Sequence, residues 1–325
     1  MSIPNSPQAA PPTWDIQHLR QHLQYAVDLE FWTIPFYMSA MYSIVDRSSA
    51  AFQLIQSVVN QEMLHLQSAA NVANAFGLSP SFAAPVYVGQ NIPHLNFNLD
   101  DPNPSKEPQF QPYSAEIGPL DAARIHAMCL IEYPDWESAD QPNLQEDISQ
   151  YANIGEFYRA IRFGAEELQD QIRGGVKQVD FFSSFYRNMP AMTVTESGKN
   201  GFYQVGLLFD LITDQGEGIA QSKNDIQTVF QNTADDRNQE LDHFDKFEQI
   251  RTAPLPATYL LKPSSEYTAH DQEVLEILLE HFAGLRKNLR ALFNGKNPED
   301  FVRLMVSVGA AIQNCWKQGV LPRFS

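Results

Sequence analysis

The chain has 325 residues, of which 43% are hydrophobic and 19% are charged, which is ordinary for a soluble globular protein. Its net charge of −17 argues against an electrostatic partnership with nucleic acid or with an anionic membrane. The two cysteines, Cys129 and Cys315, lie in no CxxC motif, which argues against a disulfide framework, a zinc knuckle or a built-in iron–sulfur centre.

Residues 1–15 are rich in proline, alanine, serine and glutamine and are expected to form a flexible tail. This segment has no basic start and no apolar run, so no secretory signal peptide is predicted. The chain also lacks the roughly 18 consecutive apolar residues from which a transmembrane helix is recognised. The sequence therefore predicts a cytoplasmic protein with neither a nucleic-acid nor a membrane partner.

Two long helices are predicted after the tail. Apolar side chains recur at helical spacing over residues 16–43, and Pro35, which lacks an N–H, is expected to kink this helix or to lie beside a bulge. The second helix is predicted over residues 49–76, with Gly77 as its C-cap. Because only a few residues join the two helices, we expect them to pack antiparallel.

Residues 78–120 contain eight prolines, which rule out a continuous helix and predict a long irregular crossover, with a short strand near residues 86–88. Further helices are predicted at residues 120–132, 148–164 and 234–250, with an insertion at residues 165–200. A long connection after the second helix is typical of the ferritin-like four-helix bundle.

The pattern changes again after Pro254 and Pro256. Two amphipathic helices are predicted there, at residues 271–293 and 298–317. The predicted fold is therefore all-α: a ferritin-like four-helix bundle at residues 16–250 and a C-terminal helical extension at residues 251–325 that packs on it.

One motif occurs twice in the chain. The hexapeptides Asn60–His65 and Asn238–His243 both read NQExxH. A Glu-Phe-aromatic block precedes each of them, Glu30–Trp32 before the first and Glu156–Tyr158 before the second. The order Glu, Glu-x-x-His, Glu, Glu-x-x-His is the ligand order of a helical bundle that holds two iron or manganese ions.

The spacing within each Glu-x-x-His motif has a physical reason. Three residues of α-helix rotate by about 300°, so the carboxylate and the imidazole lie on nearly the same face and can bind one metal ion. Four carboxylates and two imidazoles suit iron, with manganese as the alternative. The predicted metal ligands are Glu30, Glu62, His65, Glu156, Glu240 and His243.

Other interpretations of these residues remain open at this point. A single histidine is more often a satisfied core or surface residue than a ligand. Glu156 could instead form an ion pair with Arg159 or Arg162. Glu30 stands between Leu29 and Phe31, and burying its lone carboxylate would be costly unless a cation pairs with it.

The blocks of sequence around these residues resemble one ferritin-like family, the iminophenyl-pyruvate dimer synthase type, which also forms part of violacein- and rebeccamycin-pathway synthases. The blocks that carry the resemblance are Leu29–Tyr37, Glu62–His65, Ile154–Tyr158 and Gln215–Gly218. In that family, membership implies oxidative coupling of two indole-3-pyruvate imines. The resemblance implies a ferritin-like fold with a dinuclear metal site.

Two further side chains are candidate catalytic residues. Glu217 could be a substrate contact, an acid/base group or an extra ligand, or it could lie solvated in a Gly-rich turn. Tyr37 lies seven residues after Glu30, hence on the same helix face, and could line the site, although a packed core tyrosine is the more common case. His126 and the aromatic residues at positions 181–186 could line a pocket, but both patterns are more typical of core packing.

The leading hypothesis is a di-iron carboxylate oxidoreductase, an oxidase or oxygenase that uses O₂ on a small aromatic or amino-acid-derived imine substrate. Two alternatives belong to different classes: an iron-binding ferroxidase without an organic substrate, and a metal-stabilised structural protein. The sequence does not determine the oligomeric state.

Overall fold

The computed structural model describes residues 14–97, 108–134, 145, 149–181, 191–216, 230 and 240–325. This part of the chain is helical and contains no named β-strand, only isolated bridges. The expected strand at residues 86–88 is therefore wrong, since only Val88 pairs there, with Asn91. Its helices are α1 (Ile16–Ser43), α2 (Ala50–Ala75), α3 (Ala122–Ile131), α4 (Ile154–Glu167), α5 (Gly198–Gln215), α6 (His243–Thr252), α7 (Ala269–Leu292) and α8 (Phe301–Lys317).

The first two helices form as the sequence predicts. Asp15 caps α1 by accepting hydrogen bonds from two backbone N–H groups, and Ser49 caps α2. Helix α1 continues through Pro35. At the other end of α2, Gly77 adopts a φ of 75°, the left-handed conformation in which glycine commonly ends a helix.

Helices α1 and α2 are antiparallel. The ring of Tyr42, near the end of α1, packs against Phe52, near the start of α2, with centroids 6.3 Å apart. At the opposite end, Arg20 donates a hydrogen bond to the carbonyl of Phe76. Other helices of the fold pack against this pair.

The crossover is attached to α1 by hydrogen bonds to the backbone. The indole of Trp32 donates to the carbonyl of Val86 at 2.9 Å, and Tyr87 donates to the carbonyl of Trp32 at 2.8 Å. The crossover is irregular, so no helix satisfies its backbone polar groups, and hydrogen bonds to α1 do so in part.

The C-terminal helices also pack against α1 and α2. Phe282 of α7 stacks on Phe31 of α1 with ring centroids 5.6 Å apart, and Asn74 of α2 donates to the carbonyl of Phe293 at 3.0 Å. Within the described residues, no helix is long and apolar enough to cross a membrane.

Candidate metal centre

Three carboxylates and two imidazoles meet inside the bundle. Each of these five side chains is at most 3% exposed, although all of them are ionisable. The cluster consists of Glu30 from α1, Glu62 and His65 from α2, Glu132 directly after α3, and His243 at the start of α6. Four elements of the chain therefore contribute charged or titratable groups to one buried site.

Glu62 lies at the centre of the cluster. Its Oε1 atom is 2.9 Å from Nδ1 of His243 and 3.9 Å from Nδ1 of His65. On one side, Nδ1 of His65 is 3.8 Å from Oε2 of Glu30, and on the other, Nδ1 of His243 is 3.4 Å from Oε2 of Glu132. The cluster thus has two similar halves, the Glu30/His65 half and the Glu132/His243 half, which share Glu62.

Each carboxylate has one oxygen held by a hydroxyl group and the other turned towards an imidazole. Thr33 donates to Oε2 of Glu62 at 2.6 Å. Tyr37 donates to Oε1 of Glu132 at 2.5 Å, and Tyr158 donates to Oε1 of Glu30. The three hydroxyl donors fix the carboxylates so that their free oxygens converge on the same small volume as the two Nδ1 atoms.

The far side of each imidazole faces a glutamine. Nε2 of His65 lies 3.0 Å from Oε1 of Gln215, and Nε2 of His243 lies 3.2 Å from Oε1 of Gln61. The Nδ1 atoms are thereby left for the interior of the cluster. Such outer hydrogen bonds orient the ligands of most protein metal sites.

The end of α5 closes the cluster. The first N–H of α6, that of His243, donates to the carbonyl of Gly216 at 2.9 Å. A Cβ added at Gly216 would lie 2.9 Å from the carbonyl oxygen of Ile212 and 3.4 Å from Oε2 of Glu132, so a side chain would crowd the site. The Gln-Gly dipeptide singled out in the sequence therefore contributes to the site through Gln215 and through the close backbone approach at Gly216.

Burial makes the charges of the cluster costly. It raises the pKa of Glu30 well above its usual value, with repulsion from Glu62 as the next cause. Burial and then Glu132 raise the pKa of Glu62. Burial and the neighbouring His243 hold the pKa of His65 well below its usual value. Burial alone would also lower the pKa of His243, but Glu132 and Glu62 outweigh it and raise that pKa to about 9.

These features fit divalent cations. The ligand atoms of Glu62, His65 and His243 lie within 4.8 Å of one another. Two donor atoms each about 2.1 Å from one ion lie about 3.0 Å apart at a right angle and about 4.2 Å apart when opposed. The distances of 2.9 to 3.9 Å measured here fall in that range. Nδ1 of His243 is buried and makes no hydrogen bond to the described residues, although a carboxylate oxygen lies 2.9 Å away.

Four of the six ligands predicted from the sequence belong to this cluster: Glu30, Glu62, His65 and His243. Glu156 is at the start of α4, where its Oε2 accepts a hydrogen bond from the N–H of Ala152 and Asn153 is the N-cap. Its block still reaches the site, because Tyr158 is the residue that bonds Glu30.

The structure corrects the prediction for Glu240. The sequence pattern placed Glu240 and His243 on one helical face, but α6 begins only at His243. Asp242 precedes it in an extended conformation and caps the helix by accepting a hydrogen bond from the N–H of Asp245 at 2.7 Å. Glu240 is exposed in the turn before this cap. The shared helical face is therefore wrong, because Asp242 caps α6 instead of lying inside a helix that also contains Glu240.

The other candidate residues are distributed as follows. Tyr37 lies on the same face of α1 as Glu30 and contacts the cluster through Glu132, and burial followed by Glu132 raises its pKa well above the usual value. The ring of His126 hydrogen-bonds the carbonyl of Pro112. Glu217 and the aromatic residues 182–186 lie outside the described residues, whereas Phe181 packs against Phe301.

Glu132 is the cluster residue that the sequence analysis missed. It follows the apolar run Cys129–Ile131 and precedes Tyr133, which is the same apolar and aromatic setting that singled out Glu30. The sequence therefore carried a signal for Glu132, but the second NQExxH motif favours Glu240.

A model of the family described as ferritin-like matches residues 23–252, a range that contains all five residues of the cluster. The chain belongs to the ferritin-like family. A ferritin-like protein from Caulobacter vibrioides, known from its crystal structure, is 41% identical to this chain in sequence. The two structures superpose with a TM-score of 0.81, and the match covers 97% of this chain and 100% of that one. No curated protein matches the chain. These matches name the broad family, and the narrower iminophenyl-pyruvate dimer synthase type stays a prediction.

Proposed function

We propose that this ferritin-like protein is an oxidoreductase that binds two iron ions, or two manganese ions, and uses O₂ to oxidise a small organic molecule. The observation that carries the proposal is the arrangement of the three carboxylates, each with one oxygen fixed by a hydroxyl and the other facing an imidazole Nδ1. The proposed ligands are Glu30 and His65 for one ion, Glu132 and His243 for the other, and Glu62 for both.

Bound iron or manganese would supply the redox chemistry, since both exchange electrons with O₂ and accept hard oxygen ligands. The protein's contribution is to exclude water, because the cluster residues are at most 3% exposed. The hydroxyl groups of Tyr37 and Tyr158 hold protons beside Glu132 and Glu30, where they can stabilise a carboxylate whose charge changes.

The substrate that we propose is an aromatic or amino-acid-derived imine, which rests on the sequence resemblance. Glu217 remains a candidate substrate contact because it follows Gln215 and Gly216, which border the cluster. Its role can be tested with Glu217→Gln, which should alter turnover and leave the metal content unchanged.

The proposed centre is tested by metal analysis of the purified protein beside Glu62→Ala and His243→Ala. We expect about two ions per chain in the wild-type protein, and a loss of metal in both variants. Undiminished occupancy in both variants would refute the assignment. If the wild-type protein binds iron, O₂ consumption with and without candidate imines then tests the oxidase activity.

A ferroxidase without an organic substrate is the second candidate. The near-complete burial of all five side chains favours it, because ferrous ion and O₂ are both small enough to reach a closed site. Stoichiometric oxidation of added ferrous iron, with no dependence on any organic compound in the panel, would support this alternative.

A further inference from the structure

The orientation of the glutamine amides determines which nitrogen of each histidine carries the proton. An amide side chain has an oxygen that only accepts hydrogen bonds and a nitrogen that only donates them. The two ends are nearly identical in shape. Which end is oxygen and which is nitrogen is therefore assigned from a neighbouring group that can only donate or only accept a hydrogen bond. Both glutamines beside the cluster have such a neighbour.

Gln61 is oriented by a buried lysine. Lys246 is 0% exposed, and its ammonium group donates to Oε1 of Gln61 at 2.9 Å and to the hydroxyl of Ser57 at 3.0 Å. An ammonium group can only donate, so the amide oxygen must face it. The same oxygen lies 3.2 Å from Nε2 of His243, and therefore Nε2 must carry a hydrogen.

Gln215 is oriented by a backbone carbonyl. Its Nε2 donates to the carbonyl of Phe230 at 2.7 Å, and a carbonyl can only accept. The amide oxygen must then point the other way, to Nε2 of His65 at 3.0 Å. Nε2 of His65 must therefore also carry a hydrogen.

We propose that Gln61 and Gln215 are a matched pair of positioning residues that keep a hydrogen on Nε2 of His243 and of His65, so that both imidazoles bind metal through Nδ1. The two glutamines come from different helices: Gln61 precedes Glu62 in α2, and Gln215 is the last residue of α5. In each half of the cluster, the glutamine oxygen accepts the hydrogen bond from Nε2 of the histidine. Lys246 is the residue that fixes the amide of Gln61.

This proposal rests on the proposed metal centre for its consequence, but the tautomer of His65 exists without metal and can be measured without it. Protein labelled with ¹⁵N at its histidines and freed of metal is studied by NMR at mildly alkaline pH, above the usual imidazole pKa of about 6.5. We expect the Nε2–H tautomer in the wild-type protein and its loss in Gln215→Leu. An Nδ1–H tautomer of His65 in the wild-type protein would overturn the proposal.

The matched control is Gln67→Leu. Gln67 is also fully buried, lies on α2, and accepts a hydrogen bond from the N–H of Phe181 rather than facing a histidine. We expect the tautomer of His65 to be unchanged in this variant. If Gln67→Leu shifts the tautomer as much as Gln215→Leu does, the effect comes from general repacking and the proposal fails.

The second measurement is metal affinity by competition with a chelator. Gln61→Leu and Gln215→Leu should each weaken Mn²⁺ binding about 10–100-fold, the usual effect of removing an outer hydrogen-bond partner of a ligand. Gln61→Glu keeps an oxygen that accepts both the Nε2–H of His243 and the ammonium of Lys246, and it should retain affinity. Equal losses in Gln61→Leu and Gln61→Glu would refute the positioning role. A wild-type protein that binds no metal would refute the proposed function, while the NMR result would still decide the tautomer.

Discussion

Replacing Glu132 by glutamine tests whether the structure or the sequence pattern identifies the ligand that completes the second half of the cluster. Glu132 is 3% exposed and lies 3.4 Å from Nδ1 of His243. Glu240, which the Glu-x-x-His pattern selects, is exposed in a turn. Glu132→Gln and Glu240→Gln are therefore a matched pair, since each removes one negative charge at nearly constant volume.

The size of the effect follows from linkage between binding and unfolding. At a free metal concentration 100 times Kd, a bound ion stabilises the folded protein by about 2.7 kcal/mol, and a ligand loss that weakens binding 100-fold reduces this to about 0.4 kcal/mol. An unfolding entropy of about 2.1 cal/mol/K per residue amounts to roughly 0.7 kcal/mol/K over 325 residues. For the ion that Glu132 would hold, the contribution to the metal-induced rise in Tm should then fall from about 4 °C to about 0.6 °C.

The assay is differential scanning calorimetry of the metal-free wild-type protein and the two variants, each with and without Mn²⁺, which does not oxidise readily during the scan. We expect Glu240→Gln to keep the full shift. Glu132→Gln should lose most of the part that its own ion contributes and keep the part that comes from the other ion. If Glu132→Gln keeps the shift and Glu240→Gln loses it, the cluster described here is not the ligand set.

Three further predictions concern the surroundings of the cluster. Burial lowers the pKa of His22 from 6.5 to about 4. The unfolded chain therefore binds this proton more tightly than the folded protein does. The free energy of unfolding should fall by up to about 3 kcal/mol as the pH drops from 6.5 through 4. Urea unfolding at both pH values should show a smaller loss in His22→Gln, and an equal loss would refute this cause. Tyr37→Phe removes the 2.5 Å hydrogen bond to Glu132 and should cost about 2 kcal/mol in urea unfolding of the metal-free protein, whereas an unchanged midpoint would contradict that bond. Phe282→Ala removes the ring that stacks on Phe31 and should cost about 3–5 kcal/mol in the same assay; a separate early transition instead would show that the C-terminal helices unfold independently.

Much of the buried cluster was predictable because short-range geometry determines it. Glu62 and His65 are three residues apart on one helix. That helix, α2, forms where the apolar spacing and the cap at Ser49 predict it. Glu30 and Tyr37 are likewise seven residues apart on α1 and face the same cluster. In these cases a helix converts the spacing in the sequence directly into a shared face.

The same rule failed at Glu240 because it assumes an uninterrupted helix. The carboxylate of Asp242 accepts a hydrogen bond from the N–H of Asp245, so Asp242 is the N-cap, α6 starts at His243, and Glu240 is left outside the helix. The aromatic context of Glu156 predicts a ligand there, whereas in the structure Tyr158 of the same block contacts Glu30.

The sequence by itself determined the all-α class, the two long antiparallel helices, the family and four of the five cluster residues, because these depend on periodicity and on motifs that lie within single helices. Only the tertiary structure decided that Glu132 belongs to the site, that Tyr37, Tyr158 and Thr33 hold its carboxylates, and that two glutamines orient its imidazoles. Those contacts join residues that are far apart in the chain, and their partners are selected by burial and hydrogen-bond satisfaction rather than by spacing.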